Sequence, residues 1–141
     1  MEFSRLRIFS AQAFLDWAGT AKTVVEYRRA EVIFSQGDAS GSVLYIQEGA
    51  VKLSVLSTTG REAVLAILGP DDFFGEDCLS GQSLRSGSAT AITGSTILVV
   101  KKAEMVRQLH QRHALLDRFI AHMLVRSTRL QEGLIDQLAD D

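Results

Sequence analysis

Short runs of apolar and polar residues alternate through residues 23–101, and turn-forming residues separate these runs. In Val51–Val55 the apolar positions 51, 53 and 55 alternate with Lys52 and Ser54, which is the pattern of a half-buried strand. The sequence Ser57–Gly60, "STTG", predicts a hairpin turn after it. The other predicted strand segments are Thr23–Arg28, Glu31–Asp38, Ser42–Gly49, Arg61–Leu68, Ser88–Thr93 and Ser95–Lys102. Short strands at intervals of about 8–12 residues predict a sandwich or a small barrel.

Helical patterns flank this β-zone on both sides. Residues 3–20 carry clustered apolar side chains and predict one or two short helices that end near Gly19. Residues 102–139 contain no proline and predict a short helix over Ala103–His110, a break near Gln111–His113, and a long helix. We therefore expect an N-terminal helical segment over 1–22, a β-barrel over 23–101 and C-terminal helices over 102–141.

One stripe of the long helix has coiled-coil spacing. Its members are three or four residues apart and are Leu116, Ile120, Met123, Ser127, Leu130 and Leu134. The stripe either packs on the barrel or forms a symmetric dimer interface. We favour the dimer, because the β-zone supplies a core of its own and an exposed apolar seam would be a liability.

Composition narrows the class of protein. The 141 residues suit one domain, and 46% hydrophobic with 23% charged residues is typical of globular chains. A net charge of −2 argues against strong nucleic-acid binding by this chain alone. A single cysteine, Cys78, excludes an intrachain disulfide and a cysteine-rich metal site. We see no secretory leader and no apolar run of bilayer length, so we expect a cytoplasmic location and no membrane partner.

Catalytic patterns are weak. There is no Ser-His-Asp arrangement, no metal-ligand cluster and no phosphate-binding P-loop, so an enzyme is not expected. Asp71 and Asp72 could suggest acid–base chemistry, but Pro-Asp-Asp is ordinary turn chemistry. His110 and His113 have helical spacing, and surface histidines explain them better than a metal does.

The segment Gly69–Ala91 does not match any regular strand or helix. It is rich in glycine and serine and holds one glutamate, Glu76, and one arginine, Arg85, nine residues apart. Glycines allow backbone N–H groups to approach an anion, arginine suits phosphate oxygens, and a carboxylate accepts hydrogen bonds from sugar hydroxyls. These features fit a sugar phosphate. The competing interpretation is a solvated loop with an internal Glu–Arg ion pair.

Within this segment, Phe73–Ala91, "FFGEDCLSGQSLRSGSATA", resembles the phosphate-binding cassette of the cyclic-nucleotide-binding domains in the Crp/Fnr (catabolite activator) family. Val32–Asp38 and Leu44–Leu53 resemble the family's strands before the cassette, and the C-terminal stretch resembles its dimerising helix. The resemblance implies a mainly β fold: a double-stranded β-helix (jelly-roll) barrel with an N-terminal helix and a long C-terminal dimerisation helix.

The same resemblance implies a function. It predicts a sensor domain for a cyclic nucleotide, cAMP-like, that is homodimeric through its last helix. It also predicts that DNA is bound only through a helix-turn-helix domain that this chain does not contain. The alternative is a dimerisation or interaction module of the same fold that has lost the nucleotide response or binds another anion.

Site residues follow from the cassette motif. By resemblance, Gly75 offers backbone to the ribose-phosphate, Glu76 binds the ribose 2′-hydroxyl, and Arg85 and Ser86 bind the cyclic phosphate. The neighbouring cassette positions are Phe74, Asp77 and Cys78. The base would be read from the long helix, where Leu130 and Gln131 stand in place of a Thr-Ser pair and Ser127 and Thr128 lie one turn earlier.

Three cassette positions depart from the family pattern. Asp77 and Cys78 stand where an aliphatic and a small residue are common, and Gly87 stands where alanine is common. Asp77 lowers the affinity for an anion unless its side chain points to solvent. The change at Gly87 is expected to be mild.

Overall fold

The computed structural model of the chain describes residues 22–114, 116–117 and 119–126. Within them lie eight strands, whose bounds are β1 Lys22–Tyr27, β2 Val32–Phe34, β3 Ser42–Glu48, β4 Val51–Leu56, β5 Glu62–Leu68, β6 Phe73–Phe74, β7 Ser88–Ala91 and β8 Ser95–Lys101. They form two antiparallel four-stranded sheets, ordered β1-β8-β3-β6 and β2-β7-β4-β5. Consecutive strands alternate between sheets at several points, as in a jelly roll. The predicted fold class is confirmed.

Strand β3 lies at the centre of the packing because both of its faces are buried. Leu44 and Ile46 point between the sheets into one apolar cluster with Phe74 and Ile97. Val43 and Tyr45, on the opposite face, join a second cluster that is covered by helices. Side chains alternate across a strand, so one run of consecutive apolar residues supplies both clusters.

The alternation expected in β4 holds only for its first residues. Val51 is buried, but the register against β5 shifts between Leu53 and Ser54, as in a β-bulge. The extra residue of this bulge is Leu65 of β5, while β4 keeps an unbroken register with β7. Ser54 is nonetheless buried and Val55 is only partly buried, which corrects the strictly alternating interpretation. The hairpin that follows is as predicted, because Gly60 N–H donates to the Ser57 carbonyl at 2.9 Å.

Two helical segments follow β8. Helix α1 spans Lys102–Gln111 and is interrupted at Arg112, whose φ of −132° is extended. Residues 113–114, 116–117 and 119–126 are helical again, and we call this second helix α2. The predicted short helix and the break after it are confirmed. The predicted N-terminal helices, and Ser127, Leu130 and Leu134 of the stripe, lie outside the described residues.

The described part of the stripe is divided between two environments. Leu116 and Met123 pack with Phe119 against the helix-covered cluster of the barrel. Ile120 is 48% exposed, and Leu124 beside it is 63% exposed. Leu116 and Met123 therefore face the barrel, while Ile120 and Leu124 face away from it, and the dimer seam stays a prediction.

Candidate functional site

The cassette Phe73–Ala91 is held by the short strand β6 at its start. Phe74 pairs with Leu44 of β3, and its fully buried ring packs near Phe34 in the inner core. Gly75 then takes a φ of +76°, a left-handed conformation that glycine adopts readily, and a 3₁₀ helix runs over Glu76–Ser80. The polar cassette residues are thereby lifted to the rim of the barrel, while Phe74 anchors the chain beneath them.

Arg85 is the most deeply integrated residue of the cassette. Its side chain is only 4% exposed, and its guanidinium lies 4.3 Å from the ring centroid of Phe34. Nη1 donates to the Gly75 carbonyl at 2.8 Å, and Nη2 donates to the Ser42 carbonyl at 2.9 Å. Nε is buried and has no protein partner among the described residues. The Arg85 guanidinium therefore links β3 to the cassette, and its Nε–H remains available as a donor.

The carboxylate of Asp77 points toward Arg85 and not toward solvent. Its Oδ1 lies 3.1 Å from Arg85 Nη1 and accepts from Ser40 Oγ at 3.2 Å. Its Oδ2 accepts from the backbone N–H and from the hydroxyl of Ser86, both at 3.3 Å. We call this set of donors, from Arg85, Ser86 and Ser40, the anion pocket. The structure brings Arg85 and Ser86 together, as the sequence predicted, around an anion of the chain itself.

Glu76 contacts helix α2. One carboxylate oxygen, Oε1, accepts a hydrogen bond from Arg126 Nη2 at 2.7 Å. The other oxygen, Oε2, is buried and has no partner among the described residues. Arg126 is itself buried and also donates to the Phe73 carbonyl. A buried carboxylate oxygen without a donor is costly, and a ligand hydroxyl would satisfy it.

Two glycines permit close packing around this site. A Cβ on Gly75 would lie 2.7 Å from Leu44 Cδ1 and 2.8 Å from Arg85 Nη1. A Cβ on Gly87 would lie 2.7 Å from the Ser54 carbonyl oxygen. Real Cβ atoms do not approach backbone oxygens this closely, so alanine at position 87 would require the backbone to move. The packing of this chain therefore favours glycine at position 87, and the expected mild effect of this difference from the family stays a prediction.

The turn before β6 explains the paired acids. Asp72 accepts from the Gly69 backbone N–H at 3.0 Å, and Asp71 accepts from the Tyr45 hydroxyl. Burial, together with the hydrogen bond and charge of Asp71 and the charge of Asp72, raises the pKa of Tyr45. Asp72 also lies 3.6 Å from His122 Nε2 on α2. These contacts are structural and support turn chemistry over acid–base catalysis.

Cys78 belongs to the core. Its side chain is fully buried in the helix-covered cluster, and burial raises the pKa of its thiol above the ordinary value. Any contact that Phe74 or Cys78 makes with a ligand is therefore through the backbone. Among residues 22–126 that the structure describes, no three His, Cys, Asp or Glu side chains are grouped for a metal ion.

Three contacts of the site were missed by sequence reasoning. Ser40 lies in the turn before β3, Ser42 is the first residue of β3, and Arg126 lies 50 residues after Glu76. Ser40 and Ser42 sit in an ordinary turn sequence, "ASGS", and Arg126 is one of several arginines in the C-terminal part of the sequence. Only the barrel topology brings them to the cassette. The base-reading positions Ser127, Thr128, Leu130 and Gln131 lie outside the described residues.

Comparison with protein families shows to which family the chain belongs. The model of the cyclic nucleotide-binding domain matches residues 24–113, which include every described strand but the start of β1, the whole cassette and α1. The chain belongs to the cyclic nucleotide-binding domain family. Its relatives further make it a sensor domain of the Crp/Fnr type of regulator.

Three similar proteins illustrate the relationship of this cyclic nucleotide-binding domain to regulators. It is 31% identical over 113 residues to the cyclic AMP receptor protein of Thermus thermophilus, covering 80% of this chain and 52% of that protein. The crystal structure of the catabolite activator protein of the same organism matches with a TM-score of 0.73 and 27% identity, over 90% of this chain and 59% of that one. The sensor domain of the regulator DNR from Pseudomonas aeruginosa matches with a TM-score of 0.68, covering 95% of each chain, and at 22% identity shows the fold alone.

The cyclic nucleotide-binding domain described here spans about half the length of the curated relatives it matches. Those relatives are named as receptors and transcriptional regulators. Among the described residues, none of the helices has both the length and the apolar character that a membrane span requires.

Proposed function

We propose that this chain binds a cyclic nucleotide, cAMP-like, as the sensor domain of a bacterial transcription regulator. The observation that carries the proposal is the anion pocket, in which Arg85, Ser86 and Ser40 direct donors at one carboxylate. A guanidinium, a backbone N–H and hydroxyls are the donors that a phosphate diester needs. The match to the cyclic nucleotide-binding family supports this ligand over other phosphates.

Glu76 is the proposed ribose contact. Its Oε2 is buried without a donor among the described residues, so a ribose hydroxyl that donates to it would stabilise both groups. Its Oε1 remains bonded to Arg126, which holds the carboxylate in one orientation. Glu76 can thus discriminate for a sugar hydroxyl while Arg85 attracts the phosphate.

Arg126 offers a route from the ligand to helix α2. It bonds the first residue of β6 and Glu76 at once, so a change in the position of Glu76 changes what Arg126 can bond. We propose that the ligand shifts the population of α2 geometries through this contact. A homodimer through the exposed turn around Ile120 and Leu124 would transmit that shift between protomers. DNA binding is proposed for the whole regulator, through a helix-turn-helix outside this chain, and the proposed location is the cytoplasm.

Isothermal titration calorimetry with cAMP and with cGMP tests the ligand. We expect saturable binding of at least one of them, and we expect Arg85→Ala to weaken it about tenfold or more, since charge-assisted hydrogen bonds are lost. Arg107→Ala is the matched control, because Arg107 is exposed and its ion-pair partner within the described part of the chain is Glu104 on α1. Absence of heat and of thermal stabilisation at millimolar nucleotide would contradict the proposal.

A second candidate function is favoured by one observation. Asp77 already occupies the anion pocket, which is what a dimerisation module without a nucleotide response would show. Unchanged nucleotide affinity in Arg85→Ala would favour this second function, because the phosphate would then not use the pocket.

A further inference from the structure

Asp77 holds the donors that the proposed function assigns to the cyclic phosphate. Its two oxygens take contacts from Arg85 Nη1, Ser40 Oγ, the Ser86 N–H and the Ser86 hydroxyl, at 3.1–3.3 Å. This is one strong charge pair and three further donors on a single carboxylate. An acid that merely happened to lie in a solvated loop would face water and would not collect all four.

The terminal nitrogens of Arg85 cannot easily serve both anions. Nη2 is used by the carbonyl and hydroxyl of Ser42, and Nη1 by the Gly75 carbonyl, so the contact to Asp77 uses the remaining side of Nη1. A phosphate oxygen beside the Asp77 carboxylate would meet a like charge within a few ångströms. Like charges at such a distance in a partly buried site repel strongly.

Asp77 can leave without refolding the cassette. Its side chain is 24% exposed, so one edge already contacts solvent. It stands in the first turn of the 3₁₀ helix, whose glycine neighbours Gly75 and Gly81 both have positive φ. Rotation about the side-chain bonds would release the carboxylate to water while Arg85 keeps its bonds to the carbonyls of Gly75 and Ser42.

We infer that Asp77 is an intramolecular competitor of the cyclic phosphate: it fills the anion pocket in the ligand-free chain and thereby sets the nucleotide affinity. This inference rests on the proposed function. Asp77 stabilises the free cassette and raises the ligand concentration at which the sensor responds. Removal of its charge should therefore have two opposite effects: lower stability of the free chain and higher affinity for the nucleotide.

Calorimetry on the wild-type chain and on Asp77→Asn measures both effects. Thermal scans of the free chains give the melting temperature, and titrations with cAMP and cGMP give the dissociation constant. We expect Asp77→Asn to lower the melting temperature of the free chain, because Arg85 loses a charged partner, and to tighten the nucleotide dissociation constant about tenfold or more. A merely structural role would lower stability and affinity together. Glu26→Gln is the matched control, since Glu26 is exposed on β1, at the opposite edge of the sheet from β6. It removes the same charge and should leave the affinity unchanged.

Asp77→Ser is the second variant, in case the amide of Asn disturbs the 3₁₀ helix. Its hydroxyl is smaller and neutral, and the same tightening is expected. If the wild-type chain binds nucleotide and both folded variants bind it no more tightly, the inference about Asp77 is overturned and the proposed function stands. If none of the three proteins binds cAMP or cGMP at millimolar concentration, the proposed function itself is overturned.

Discussion

At the scale of single residues, the site depends on a few backbone positions whose conformation favours glycine. Gly75 and Gly81 border the same 3₁₀ helix and both have positive φ, but their surroundings differ. A Cβ at Gly75 would collide with Leu44 and Arg85, whereas a Cβ at Gly81 would meet nothing within 4 Å. Alanine at Gly81 would therefore meet only the strain of the left-handed backbone, whereas alanine at Gly75 would meet that strain and steric crowding as well.

Replacing each glycine by alanine should give unequal losses. Gly81→Ala should cost about 1 kcal/mol of unfolding free energy, since it only forces a left-handed backbone on alanine. Gly75→Ala should cost clearly more, about 2–4 kcal/mol, and should also weaken nucleotide binding because Arg85 is displaced. Urea denaturation of both variants measures the difference. Equal losses would mean that the contact with Arg85 is easily relieved.

Cys78 gives a second test at this scale. In the native chain the buried thiol should react with a maleimide or a disulfide reagent far more slowly than a free thiol, because burial raises its pKa and blocks access. In denaturant the same chain should show one reactive thiol, since it contains one cysteine. Rapid modification of the native chain would contradict its place in the core.

At the scale of elements, strand β3 and the turn before β6 are joined by the Tyr45–Asp71 hydrogen bond. The raised pKa of Tyr45 means that the folded chain holds this proton more tightly than the unfolded chain, whose tyrosine has the ordinary value of 10.0. The unfolded chain therefore loses its proton first as the pH rises. Stability from this group is complete below pH 10 and declines above it.

Tyr45→Phe should reveal this dependence. The variant should be less stable at neutral pH, by about 1.5 kcal/mol, because Asp71 loses a donor. Its stability should then fall less steeply than that of the wild-type chain between about pH 8 and about pH 10.5. Urea denaturation at these two pH values measures both slopes. If the stabilities of the two proteins fell equally between these pH values, another group would control the loss of stability at alkaline pH.

The elements also show which parts of the fold the sequence pattern could predict. Long alternating or apolar runs such as Ser42–Glu48 and Ser95–Lys101 form strands, because several residues carry the period. Strand β6 has two residues, too few for any period, and exists because Phe73 and Phe74 pair with β3. The bulge at Leu65 of β5 could not be predicted either, because a register shift depends on the neighbouring strand.

The candidate site was predictable where its residues are close in sequence. Arg85 and Ser86 follow Glu76 within one motif, and the motif supplied their proposed roles. The inward direction of Asp77 was not predictable, because it depends on Ser40 from a separate turn. The contact of Arg126 with Glu76 depends on how α2 lies across the barrel, which no local pattern records.

At the scale of the whole molecule, helix α2 presents apolar side chains in two directions. Leu116, Phe119 and Met123 cover the barrel, and Ile120, Leu124 and Val125 are exposed. Exposed apolar side chains clustered on one helix turn are a common sign of an interface. They support the proposed homodimer more directly than Leu116 and Met123 of the stripe, which pack on the barrel of their own protomer.

Ile120→Asp should shift the chain toward monomer. A charge at the centre of a proposed apolar interface is costly, so the sedimentation coefficient at tens of micromolar protein should fall to the monomer value. Val24→Asp is the control, because Val24 is 55% exposed on the edge strand β1, away from α2. A wild-type chain that sediments as a monomer at the same concentration would refute the dimer.

The bonds of Arg85 to Ser42 and Gly75 have a consequence for the thermodynamics of recognition. They join two parts of the cassette to each other and to β3 before any nucleotide arrives, so little of the chain remains to be ordered on binding. The heat capacity change of binding should then correspond to the surface of the nucleotide alone, without the large negative value of coupled folding. Such a sensor would respond by exchanging the Asp77 carboxylate for the cyclic phosphate, while the backbone of the cassette stays in place.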